Sequence, residues 1–193
     1  ISQFISAFLI LRALLTGKEK YCLRLSEIRF DRRKAAGILQ IGIPSAFQYS
    51  LFAIANLFVQ SSVNSFDHVL VEGNSAAANA DPLVYDMMAA FYTACSSFIA
   101  QNFGAQKKKR ILQTYLICLF YSFITSLVLG VGLYLARYPF LYLFTSDKAV
   151  VEAGITRLSI MALSYSASAF MDASIAASRG LGKTAVPTFV VVM

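Results

Sequence analysis

The sequence predicts an all-α, polytopic membrane protein, a helical bundle, on three observations. Of its 193 residues, 58% are hydrophobic and only 14% charged, with a mean hydropathy of +0.63, whereas soluble domains carry about 25% charge. The apolar residues fall in runs long enough for the roughly 20 positions a spanning helix needs, and the cations gather in short segments between those runs. At residues 101–110, QNFGAQKKKR, an apolar run meets Gly104 and then Lys107, Lys108, Lys109 and Arg110, as a chain does where it leaves a bilayer on the cytoplasmic side.

The same distribution excludes other classes. A net charge of +7 invites a nucleic-acid reading, but the basic residues sit in loops rather than on one amphipathic face, so they act as topology signals and no nucleic-acid partner is expected. Cys22, Cys95 and Cys118 form no CxxC pair and have no histidine cluster near them. They read as small apolar filler, and no metal site is expected.

Residues 1–15 read as the end of a transmembrane helix, with Arg12 toward its cytoplasmic end and Gly17 beyond it. The chain starts inside this apolar run and stops inside another at 185–193, and we expect it to be a piece of a longer protein. Residues 16–34 form a basic cytoplasmic linker whose cations alternate with Tyr21, Leu25, Ile28 and Phe30, either a short interfacial helix or a plain loop. The remainder, 35–193, holds four full spans and the start of a fifth.

The first span, 35–63, contains Pro44 and a row of amides, Gln48, Asn56, Gln60 and Asn64, at multiples of four residues. Such a row occupies one side of a helix, where it can line a cavity or hydrogen-bond a neighbouring helix. Residues 65–80 are expected as an outer loop and the approach to the next helix, with His68 alone there. The second span runs from about Pro82, or already from Ser75, to Phe103, with Asp81 and Pro82 reading as an N-cap and a first-turn proline. Asn79, Asp86, Thr93, Ser97 and Gln101 fall on one face of it. A carboxylate near the centre of a span costs about 2.5–3.5 kcal/mol on insertion scales, so Asp86 is a candidate for facing protein or water.

The third span, 111–135, has no charge and reads as a packing helix; 137–149 is a second outer loop, with Pro139 as its helix stop. The fourth, 158–178, carries Ser164, Ser168 and Asp172 four residues apart, and Asp172 is its one acid. Arg179, Gly180, Gly182 and Lys183 close it in a second basic turn, and Pro187 opens the last segment. With this topology fourteen of the 17 cations lie inside, and only Arg137, Lys148 and Arg157 outside.

Three stretches carry a resemblance: GIPSAFQYSLFAIANLFVQSSVNSF at 42–66, EGNSAAANA followed by FYTACSSFIAQNFGAQKKKRI between 72 and 111, and SRGLGKTAVPT at 178–188. Together they resemble the carboxy-terminal half of multidrug and toxic compound extrusion (MATE) transporters over nearly the whole chain. The turn motifs, Gln101 with Gly104 and Arg179 with Gly180 and Gly182, are its most specific parts. The resemblance implies twelve helices in two six-helix lobes, with this chain forming most of the second. It also implies an antiporter in a cell membrane, in which entering Na⁺ or H⁺ drives an organic, often cationic, molecule outward through a cavity shared with the amino-terminal lobe of the same parent chain. Beyond the coupling ion no cofactor is implied. Coupling would arise because one carboxylate cannot pair with the ion and the substrate together.

Asp172 is then the first candidate for cation or substrate binding and Asp86 the second, with Gln48, Asn56, Gln60, Asn64, Asn79 and Ser168 around them. One departure stands out: some branches of the family have an acid in the helix matching 35–63, and here there is none. A flippase for lipid-linked sugars is the alternative, and a more cationic cavity than these acids and amides is expected of it. An intramembrane enzyme would need a nucleophile beside a base or a metal cluster, which the lone His68 does not supply.

Overall fold

A computed structural model describes residues 2–16 and 28–192, and side chains up to 190. The basic stretch 17–27, including Cys22, lies outside the described residues, and with it most of the expected linker. Two compact units make up the chain, Ile1–Leu39 and Gln40–Met193. The first holds α1 (Ser2–Thr16), an apolar helix with its side chains exposed, and the beginning of α2 (Arg32–Val63). Asp31 starts α2 three residues before the apolar stretch: its carboxylate accepts from the Arg33 and Lys34 N–H groups at 2.8 and 3.3 Å.

The second unit continues through α3 (His68–Ala78), α4 (Ala80–Gly104), α5 (Lys108–Leu135), α6 (Arg137–Tyr142), α7 (Lys148–Gly180) and α8 (Ala185–Val192). Among the described residues there is no strand, and four helical segments are long and apolar enough to cross a membrane: α2, α3 with α4, α5, and α7. The chain is thus an all-α, polytopic membrane protein.

Several boundaries differ from the sequence expectation. Most of the expected outer loop 65–80 is α3, and Asn79 alone separates it from α4. Pro82 explains the break, because it has no N–H for the Ala78 carbonyl and its ring crowds that oxygen. The Asn79 amide then donates to Ser75 and Ala76 carbonyls at 3.1 and 3.2 Å. With no loop before α4, Asp81 caps nothing and stands in its first turn. Pro139 stops no helix but lies in the first turn of α6. Helix α7 begins ten residues earlier than expected, because Asp147 caps it by accepting from the Ala149 N–H at 2.8 Å.

The core of this unit is three layers stacked along α7. Ala76, Ala77 and Ala80 meet Leu141, Val151 and Leu158; Val84 and Met88 meet Tyr165 and Ala169; Cys95 and Ile99 meet Ala176. Ascending numbers on both sides make α3–α4 and α7 parallel. Lipid tails give helices no hydrophobic reason to associate, so close backbone approach carries the packing. On α5 a stripe of Ser122, Ser126 and Gly130 is buried, and a Cβ added at Gly130 would collide with the Ala162 carbonyl oxygen of α7.

Both basic turns end their helices alike. The Lys107 N–H reaches the Asn102 carbonyl and Gln106 N–H the Phe103 carbonyl; the Lys183 and Gly182 N–H groups repeat the pattern on Ser178 and Arg179. This is the Schellman cap, which requires one left-handed residue. In the second turn that residue is Gly182 at φ 73°, and in the first it is Gln106 at φ 55°.

Candidate functional site: a polar cavity walled by α2, α3, α4 and α7

A cavity of 1230 Å³ opens between these four helices in the second unit. Helix α4 lines it with Asp81, Tyr85, Ala89, Thr93 and Ser97, a row in steps of four, together with Tyr92 and Ser96. Helix α2 contributes its own row, Gln48, Phe52, Asn56 and Gln60, and α7 adds Arg157, Met161, Asp172 and Arg179. Four of the expected residues, Asp172, Gln48, Asn56 and Gln60, are therefore brought together.

The other candidates are placed elsewhere. Asp86 is exposed and lies off the lining row, about 100° around the helix from Tyr85. Asn79 spends its amide on α3, and Ser168 turns back to the Ser164 carbonyl at 3.4 Å. Asn64 lies just past the end of α2, where its Oδ1 accepts from Gln60 Nε2 at 2.9 Å. Gln101 and Gly104 stay at the end of α4, outside the lining. Gly180 marks a close approach: a Cβ there would come within 2.7 Å of the Ser96 carbonyl oxygen on α4. His68 stands in the first turn of α3, its Nδ1 3.7 Å from Glu72 Oε2, and among the described residues no three metal-ligating side chains cluster.

The cavity has two charged ends. At the end nearer the α4 N-terminus, Asp81 accepts from Arg157 at 2.7 Å and from the buried Tyr165 hydroxyl, while Arg157 also donates to the Asn74 carbonyl at 2.7 Å. This network ties α3, α4 and α7 together. Arg157 was expected as an outside cation before the fourth span and Asp81 as a cap; their separation in sequence, 76 residues, hides the pairing.

At the basic-turn end, Arg179 reaches across to α2. Its guanidinium donates to the Tyr49 hydroxyl at 2.9 Å and to Gln48 Oε1 at 3.2 Å, and lies 4.8 Å from the centre of the Tyr49 ring. Arg179 thus belongs to the cavity as well as to the turn. The expectation of acids and amides alone is corrected: two arginines face the same space as two aspartates. Between the ends, Asp172 makes no hydrogen bond or ion pair with any described residue, though it interacts electrostatically with Arg179 and Tyr92.

The sequence model of the MatE family matches residues 44–193, which contain every residue lining the cavity. The chain belongs to the MatE family. It is also similar to an FAD transporter of Shewanella oneidensis, 25% identical over 134 residues, a match covering 69% of this chain and 29% of that protein. This MatE chain therefore spans less than a third of its relative in that match, and it is a multi-pass membrane protein of a transporter family.

Proposed function

We propose that the chain forms most of the carboxy-terminal lobe of a secondary active exporter in a cell membrane, facing an amino-terminal lobe of the same parent chain. The lobes enclose the cavity, and inward flow of Na⁺ or H⁺ drives an organic molecule out through it. The observation that carries this reading is Asp172, a carboxylate on a spanning helix that faces the cavity without an ion-pair partner. Such a group is costly within a membrane unless it meets water, a proton or a cation, which is what a coupling site supplies. Asp81, by contrast, is already paired. A cation bound at Asp172 and a cationic substrate would exclude one another, so entry of one favours release of the other.

The test is efflux of a fluorescent organic cation from vesicles containing the full-length parent under an imposed proton or sodium gradient. Wild type should export under one gradient, and Asp172→Asn should lose at least about tenfold in rate, equivalent to about 1.4 kcal/mol. Equal export by both would remove Asp172 from the coupling role.

A second reading concerns the substrate's charge. Arg179, which pairs with no carboxylate among the described residues, favours a molecule with anionic groups, and FAD, named for the relative, carries a pyrophosphate. A lipid-linked sugar carries the same chemistry, so the flippase alternative stays with this reading. Export of a phosphate-bearing molecule in place of the cation would select it.

A further inference from the structure

We infer that Arg179, with Gln48 and Tyr49, is an oxyanion subsite that reads a phosphate on the transported molecule and, on binding it, frees α2 from α7. The inference rests on the cavity being the transport path. Its basis is a shortage of acceptors. A guanidinium carries five N–H donors and no acceptor. Here two of its nitrogens donate to neutral oxygens, Tyr49 OH and Gln48 Oε1, while its Nε is buried without a partner. Gln48 is 1% exposed, and its Nε2 is also unpartnered. No carboxylate among the described residues lies within ion-pair distance of Arg179; the only acid recorded as interacting with it is Asp172, two turns back on α7.

Two buried donors, Arg179 Nε and Gln48 Nε2, are left over at the edge of an open cavity, and they are short of what an oxyanion brings. Bonds from a guanidinium to an ionised oxygen are roughly twice as strong as those to neutral oxygens, and a phosphate can take two in parallel. A phosphate entering the cavity would therefore displace the Tyr49 hydroxyl and the Gln48 carbonyl oxygen from Arg179, and Gln48 Nε2 could donate to it. Among the described residues those two bonds and the ring contact are the polar links between α2 and α7, so their exchange loosens the α2 wall at the basic-turn end. Recognition and opening would share one side chain.

The test is equilibrium binding, without any gradient, to the purified full-length parent. The probes are riboflavin 5′-phosphate and riboflavin, which share a fluorescent ring and differ by the phosphate. Wild type should bind the phosphate at least about tenfold more tightly. Arg179→Gln should bring the ratio of the two affinities near one, and Arg179→Lys should keep part of the preference. Equal binding of the two probes by wild type, no binding of the phosphate, or a parallel loss of both in Arg179→Gln would overturn the assignment. Retention of phosphatidylglycerol by wild type and not by Arg179→Gln, without binding of either flavin, would give the site to a lipid headgroup and overturn it as well. Because no gradient is used, failure of ion-coupled export and failure of this subsite give different results.

Discussion

Tyr165 is fully buried, yet its hydroxyl donates to Asp81, which also holds Arg157. Removing that hydroxyl leaves the ion pair in place but takes one donor from the carboxylate. Hydrogen bonds to charged groups contribute about 1.5–3 kcal/mol, so Tyr165→Phe should destabilise the full-length parent in detergent by that amount. Thermal unfolding followed by circular dichroism reads it, and an unchanged midpoint would mean the hydroxyl does not bind Asp81. Asp81→Asn should act through the same contact, so the double mutant should cost less than the sum of the singles. Nothing in the sequence pointed to this network. Asp81 stands before a proline, where a cap is the economical reading, and Arg157 and Tyr165 are more than 70 residues away. Asp172 was legible because a lone acid in an apolar run has few uses. Asp86 was misplaced because rows of seven and rows of four share a face only briefly, and the cavity follows the row of four from Asp81 to Ser97.

At the scale of elements, the apolar runs showed where α2, α4, α5 and α7 lie, because membrane helices must satisfy their own backbone and leave few other structures possible. Their ends were less legible. Helix α3 was hidden by Asp67, His68, Glu72 and Gly73, polar or flexible residues that suit a loop until Gly73 is seen packed against Val150 and Gly154 of α7. The paired Schellman caps give a comparison within one chain. A side chain in the left-handed region costs about 1–2 kcal/mol, so Gly182→Ala should lower stability by roughly that much. Gln106→Gly should do the reverse, raising it by about 1 kcal/mol less the entropy that glycine adds to the unfolded chain. Opposite shifts in unfolding temperature would confirm that the two turns are one structure built with different residues. Shifts of the same sign would show that the caps are not equivalent.

For the molecule as a whole, the parallel run of α3–α4 and α7 puts the Lys107–Arg110 turn and the Arg179–Lys183 turn at one end of the bundle, and residues 64–67 and 143–147 at the other. The few cations at that second end are largely sheltered. Arg157 is paired with Asp81, and Arg137 donates to the Tyr134 carbonyl at 2.8 Å while lying 4.6 and 5.5 Å from the Tyr134 and Tyr138 ring centres. Aromatic rings at such a level anchor a helix end at the membrane surface. Within the second unit the free basic charge therefore concentrates at the two Schellman turns, and these should face the cytoplasm. In a parent whose Cys22, Cys95 and Cys118 are replaced by alanine, Lys107→Cys and Lys183→Cys should resist a membrane-impermeant maleimide added to intact cells and react once the cells are opened. Ser65→Cys and Ser146→Cys should react from outside. If residues 107 and 183 label from opposite sides, α4 and α7 are not parallel in the membrane, and the shared cavity between them goes too. If all four patterns invert together, the bundle stands but its charge does not set its direction.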